Sequence, residues 1–328
     1  MKRIKNIFLV LARISISIVL LVFLFKFNRI DIHALISDIK SANIFFLSIG
    51  LALFLSIYIL GFLRWQMLLS AAGINIPLGR LISSFSGGVF FSIFLPSTIG
   101  GDLVRTVDLA EHTKKAKEVI ATVFLDRLSG YVGLVFVILP ALLLGRNLVL
   151  DKVVFSSVFI IIIILVFILL ILFNNFIYRK ITKFLSTPGA GKIKEALRNV
   201  HQEIHIFRNH KKILVFNLIV SFLIQVLLPV CVYFIGLSLG IKINFIYFLI
   251  FLPIIGAITL LPIAIGGLGL REGLFVLYFA KAAVIKQSAL AMSLLSFSFV
   301  VFYAAIGGLI YVFTVHHRRI QPDKSSSV

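Results

Sequence analysis

Arginine at membrane depth costs roughly 2.5–3.5 kcal/mol on insertion scales, yet this 328-residue chain keeps several in a repeated setting. Arg105 and Arg271 each stand four residues beyond the second glycine of a pair, Gly100-Gly101 and Gly266-Gly267. The surroundings recur as well. Leu95-Pro96-Ser97-Thr98-Ile99-Gly100-Gly101-Asp102-Leu103-Val104-Arg105 and Leu261-Pro262-Ile263-Ala264-Ile265-Gly266-Gly267-Leu268-Gly269-Leu270-Arg271 share the pattern L-P-x-x-I-G-G-x-x-x-R. A guanidinium is a planar set of donors suited to phosphate, and glycine lets an anion approach the backbone closely. The spacing predicts that Pro96 and Pro262 break a helix, that the glycines form a tip, and that a new half-helix starts just after them. The open amides and positive dipole end of that half-helix would lie on the side of the arginine. Arg105, Arg271, Gly100, Gly101, Gly266 and Gly267 are therefore candidate lipid-phosphate ligands. The plain alternative is a tight turn without a ligand.

Arg64, in Gly61-Phe62-Leu63-Arg64-Trp65, joins the phosphate set. With Trp65 beside it, the pair also has the make-up of an interfacial anchor. Asp102, Asp126, Arg127 and Glu272 form a gating or ion-pair group. Asp102 is placed to cap the new half-helix, and the second copy has Leu268 there, which argues against catalysis. Asp126-Arg127 reads as an ion pair locking a helix to a hairpin. Glu272 reads as the partner of Arg271 or as a proton-coupling group. No metal site is expected: His201-Gln202-Glu203-Ile204-His205 is not H-E-x-x-H, and no nucleotide or nucleophile motif is present. Neither a cofactor nor a catalytic residue is assigned.

The elements that must position these residues are helices in a membrane. The chain is 60% hydrophobic and 13% charged, with a mean hydropathy of +1.13, which excludes an ordinary soluble domain. The net charge of +20 does not point to nucleic acid, because the basic residues sit between apolar runs. Runs long enough to span fall near 7–27, 44–68, 119–144, 152–175, 213–238 and 288–315. The first reads as an uncleaved signal anchor, with Arg13 snorkelling from it. Cys231, the single cysteine, reads as a small buried residue. Two further regions, 79–105 and 245–285, hold the motif copies and read as re-entrant hairpins that enter and leave on one side. With both as hairpins, 21 of the 32 Lys and Arg fall in the N-terminus, 64–80, 102–118, 176–212 and the C-terminus, and eight fall in the opposite loops. The positive-inside rule makes the richer side cytoplasmic, with both termini there.

The expected fold is an all-α polytopic membrane protein: about six full transmembrane helices plus two re-entrant helical hairpins, as an inverted-topology repeat of about 1–145 and 150–316. It forms one integral domain, 1–318, with a cytoplasmic loop 176–212 and a disordered tail 319–328. Within the loop, Ile193, Leu197, Val200, Ile204 and Phe207 recur at helical spacing, as in a helix lying on anionic headgroups or on a protein partner. Paired broken segments in matching positions of two halves are the sequence pointer to a transporter binding site.

These residues resemble a family, the transmembrane region of lysylphosphatidylglycerol synthases and its stand-alone UPF0104 relatives. The likeness is carried by Leu63-Arg64-Trp65, the first motif copy, Asp126-Arg127, and the segment from Pro262 to Glu272. It covers about 1–316. The resemblance implies the translocating part of such proteins rather than the aminoacyl-transfer domain, for which the residues after the last span leave no room. It implies a flippase for a modified or anionic phospholipid or a polyprenyl-linked lipid in the cytoplasmic membrane. Two other readings stay open: a membrane-embedded transferase acting on a lipid carrier, and a non-catalytic partner of a lipid-modifying enzyme. Homo-oligomerisation is open too.

Overall fold

The computed structural model describes residues 30–95, 98–148, 151–184, 210–260 and 264–320, with isolated positions at 15, 17–20, 22–23, 25–26, 198 and 207. Its elements are α1 (Ile32–Lys40), α2 (Ile44–Ala71), α3 (Leu78–Phe94), α4 (Thr98–Thr113), α5 (Ala116–Leu144), α6 (Lys152–Phe173), α7 (Asn175–Phe184), α8 (Lys211–Ser238), α9 (Phe245–Thr259), a 3₁₀ turn (Ile265–Gly267), α10 (Leu270–Ala280) and α11 (Lys286–Ile320). No strand occurs among the described residues. Five helices are long and apolar enough to cross a membrane: α2, α5, α6, α8 and α11. They match five of the six expected spans. The sixth, 7–27, lies mostly outside the described residues, as do Pro96, Pro262, most of the 193–207 segment and 321–328.

Local chemistry sets the boundaries. Asn43 caps α2 by accepting from Phe45 N at 2.9 Å, and Asn244 caps α9 by accepting from Ile246 N at 2.9 Å. Asp151 caps α6 through Val153 N at 2.8 Å. Each side chain satisfies an amide that the helix start leaves open. Pro77 precedes α3, where its fixed φ suits a helix start.

The order α2, hairpin α3–α4, α5 recurs as α8, hairpin α9–α10, α11. The equivalent helices α2 and α8 run antiparallel. Asn43 N bonds Ser238 O at 2.9 Å at one end, Cys231 Sγ meets Gly50 O at 3.2 Å further along, and Asn217 Nδ2 reaches Arg64 O at 3.2 Å near the other end. Antiparallel equivalents are what an inverted repeat requires. The halves also exchange partners. The first leg of each hairpin packs on the closing helix of the other half: α3 on α11, where Gly307 faces Ser86 O and Tyr311 faces Gly87, and α9 on α5, where Gly145 faces Ile246 and Ile250. The hairpin legs are too short to span alone. At 1.5 Å per residue the 17-residue α3 is about 25 Å long, against a hydrocarbon core of ~30 Å.

Three boundaries differ from the sequence expectation. The second leg of the first hairpin runs to Thr113, past the expected end at 105. Consequently Arg105 lies inside a helix, as Arg64 does in α2; the charge count assigned both to cytoplasmic loops, yet their side chains are only 6% and 12% exposed. After α6 the chain turns at Asn174 into the short basic helix α7, whose Arg179, Lys180 and Lys183 are exposed. The closing helix α11 reaches Ile320, two residues into the expected tail.

Candidate functional site

The second motif copy meets the first hairpin. A Cβ on Gly266 would stand 3.2 Å from Ile93 O, so the turn of the second hairpin sits against the end of α3. Around this meeting point the membrane-depth charges gather, but in two unlike arrangements.

In the first half they form a chain of ion pairs. Arg64 Nε donates to Asp126 Oδ1 at 2.7 Å, and its Nη1 to Ser221 Oγ at 3.1 Å. Arg105 Nη2 lies 3.0 Å from Asp126 Oδ2 and 3.0 Å from Asp102 Oδ1. Arg127 Nε donates to Asp102 Oδ2 at 2.5 Å. Three arginines and two carboxylates thus tie α2, α4 and α5 together. The Arg105 guanidinium also lies 4.5 Å from the ring centre of Trp65, a geometry in which the ring face attracts a cation. Trp65 is fully buried and donates Nε1 to Thr122 Oγ1 at 3.3 Å. It is a platform for Arg105 and not an interfacial anchor.

The first glycine pair is also not the tip. The helix resumes at Thr98, so Gly100 and Gly101 lie within the first turns of α4. Their value is closeness: a Cβ on Gly101 would collide with Gly88 O, and one on Gly100 with Leu95 Cβ. Asp102 is the fifth residue of that helix and caps nothing; its carboxylate is taken by Arg105 and Arg127.

The second half is built differently. Gly266, Gly267 and Gly269 have φ of 58°, 74° and 80°, a left-handed run that other residues adopt only with strain. Here the glycines do make the turn, and α10 starts at Leu270. Its open amide at Gly269 is filled from within, by Glu272 Oε2 at 2.6 Å. Glu272 is fully buried, and its other oxygen accepts from Arg271. Arg271 is 15% exposed and lies 4.2 Å over the Phe297 ring. Its ionic partner is thus its own neighbour in sequence.

Between the halves is a cavity of about 420 Å³, lined among others by Arg64, Asp126, Arg127, Tyr131, Gln225, Arg271 and Phe297. Leu134, Leu228, Val232, Leu252, Ile255 and Val300 give it apolar walls. A second cavity, about 360 Å³, shares Arg64, Asp126 and Arg127 and extends to Gly101, Asp102 and Arg105. No cluster of metal-ligating side chains occurs among the described residues.

Three polar groups escaped the motif reading. Asn217, Ser221 and Gln225 are spaced by four along the apolar helix α8, and each faces the charged site: Asn217 through Arg64 O, Ser221 through Arg64 Nη1, and Gln225 through Gly130 O at 2.9 Å. A polar stripe at that spacing in a membrane helix was the available signal.

The profile of the family described as the lysylphosphatidylglycerol synthase TM region matches residues 10–308. The chain belongs to that family. Among curated relatives, a UPF0104 membrane protein of Pyrococcus horikoshii is 23% identical over 275 residues, 77% of this chain and 82% of the relative. A UPF0104 membrane protein of Methanothermobacter thermautotrophicus is 26% identical over 249 residues, 68% of this chain and 71% of the relative. The family region thus takes in both hairpins, both motif copies and every residue of the cavity named above.

Proposed function

We propose that this chain moves an anionic lipid between the leaflets of the cytoplasmic membrane, holding its phosphate in the cavity between the two halves while the acyl chains stay in apolar surroundings. The observation that carries this reading is the cavity itself: Arg64, Arg127 and Arg271 converge on largely apolar walls where the two broken hairpins meet. Guanidinium donors in a low-dielectric pocket bind phosphate strongly. The antiparallel halves supply two related faces that can rock about the site. The family's description joins such a region to a lipid synthase, which makes a lipid the natural cargo.

The phosphate ligands differ in part from those read off the motif. Arg105 is only 5% exposed and committed to two carboxylates, so it braces the site. The glycine pairs shape the hairpins. Arg271 and Arg64 remain as ligands, and Arg127 joins them. The transferase reading loses ground because Asp102, Asp126 and Glu272, the bases it would use, are each engaged by arginine.

The test is lipid movement in liposomes. Purified protein is reconstituted with a fluorescent anionic phospholipid, and leaflet exposure is read by dithionite quenching. Wild type should accelerate movement, and Arg271→Gln, folded by its gel-filtration profile, should lose most of the acceleration. A rate equal to protein-free liposomes, across anionic phospholipids and polyprenyl phosphates, overturns the proposal.

A further inference from the structure

The cavity also carries information about the headgroup. We infer that it selects a lipid with one negative charge, a phosphodiester, whose remaining headgroup is an uncharged polyol or sugar, and that it rejects headgroups bearing an amine. This rests on the lipid-translocation reading.

The first argument is charge balance. Around the two cavities stand Arg64, Arg105, Arg127 and Arg271 against Asp102, Asp126 and Glu272. One positive charge is in surplus. Unbalanced charge away from water is costly, and a singly charged phosphodiester cancels it. A diphosphate overshoots and leaves the site negative.

The second argument concerns where an ammonium would go. It needs a carboxylate, and each carboxylate of the site is already taken. Asp126 serves Arg64 and Arg105, Asp102 serves Arg105 and Arg127, and Glu272 serves Arg271 and the Gly269 amide. An amine entering the cavity meets guanidinium groups instead, and like charges in a poorly screened pocket repel.

The third argument is the neutral lining. Tyr131, Gln225, Thr259 and Ser296 face the same cavity. Gln225 donates its amide to Gly130 O, Thr259 donates to Ile255 O, and Ser296 donates to Met292 O at 2.7 Å. The hydroxyl donors of Thr259 and Ser296 and one N–H of Gln225 are spent on the protein's own backbone, which leaves their oxygens as acceptors for the ligand. Oxygen acceptors without net charge suit hydroxyl donors, while the surplus guanidinium charge turns away an ammonium that could use the same acceptors. A site built to receive hydroxyls discriminates strongly against ligands that lack them, because its polar groups then stay unpaired. Phosphatidylglycerol and a polyprenyl phosphosugar share this chemistry, so both belong in the test.

Proteoliposomes are loaded in parallel with labelled phosphatidylglycerol, phosphatidylethanolamine, lysylphosphatidylglycerol, a polyprenyl-phosphate sugar and a polyprenyl-diphosphate sugar. At least one of the two neutral-headgroup phosphodiesters should move about tenfold faster than either amine-bearing lipid and than the diphosphate, a ratio worth ~1.4 kcal/mol. Gln225→Leu should narrow that ratio. Equal or faster movement of an amine-bearing lipid or of the diphosphate overturns the inference while leaving translocation standing. If nothing moves, translocation falls, and the headgroup preference is read from lipid-dependent thermal shifts in detergent. There the same order supports it, and equal shifts for all five lipids overturn it.

Discussion

The two hairpins carry the same motif and use it in opposite ways. In the first, Arg105 is locked between Asp102 and Asp126 above Trp65, and the glycines let two helix legs touch. In the second, the glycines make a left-handed turn, and Arg271 leans on its neighbour Glu272 and on Phe297 beside the cavity. The closing helices explain the difference. Counted from their first residues, position eleven is Asp126 in α5 and Ser296 in α11, and position twelve is Arg127 and Phe297. An acid–base pair in one half is replaced by a hydroxyl and an aromatic ring in the other. A duplicated frame has thus given its motif arginine two uses, a brace in the first half and a cavity ligand in the second, where Arg64 and Arg127 of the first half join it. The motif arginine is structural where a carboxylate on the next helix can hold it, and available where none can.

This contrast is broken most severely at Asp126. Asp126→Ala leaves Arg64 and Arg105 buried without their shared counter-charge, which should cost about 3–5 kcal/mol. Thermal melting in detergent should show the loss, or the protein should fail to accumulate. A melting temperature near wild type would show that the first-half network braces nothing.

The glycine pairs give the next effect. Gly101→Ala drives a Cβ into the Gly88 carbonyl, and prying the hairpin legs apart should cost about 1–3 kcal/mol. Gly267→Ala meets only ordinary contacts with Thr259 and Arg271 and should cost roughly 1 kcal/mol, through its left-handed backbone alone. Equal losses in melting temperature would erase the distinction between a packing pair and a turning pair.

The smallest effect concerns the outer end of the second hairpin, where Lys281, just past α10, pairs with Asp151, the cap of α6. The hydrogen bond from Lys281 holds the Asp151 carboxyl below the usual aspartate range. A carboxylate with a depressed folded pKa stabilises the fold above its unfolded value and loses that contribution as pH falls through the folded one. Melting curves should therefore show a slight loss below about pH 4 that Lys281→Met abolishes. The pair is partly open to solvent and the change should be small. An unchanged acid profile in Lys281→Met would remove this tie within the second half.

Much of the frame was legible in the sequence. Apolar run length gave five described spans, and motif recurrence with charge parity gave two hairpins in related halves. Arg64, Arg105, Asp126 and Arg271 were singled out because charge at membrane depth needs a reason. The roles were less legible. The motif text is the same at both glycine pairs, and only the neighbouring helices decide whether a glycine admits a backbone or turns a chain. Asp102 looked like a cap because the helix was expected to begin after Gly101. In fact it begins at Thr98, before both glycines. Trp65 looked interfacial because its partners, Arg105 and Thr122, come from segments distant in sequence. The stripe Asn217, Ser221 and Gln225 carried a usable period but no motif.

The division between a bracing and a binding motif arginine is tested most directly by lipid affinity in Arg271→Gln. Binding of phosphatidylglycerol or a polyprenyl phosphosugar to the purified protein is measured by native mass spectrometry, alongside melting temperature. Loss of a charged hydrogen-bond donor to phosphate is worth about 1.5–3 kcal/mol, so affinity should fall at least about tenfold, while the melting temperature, lowered because buried Glu272 loses its counter-charge and keeps only the Gly269 amide, should fall less than in Asp126→Ala. Wild-type affinity in Arg271→Gln, or a collapse of its fold to the extent seen in Asp126→Ala, would show that the two motif arginines are not divided in this way.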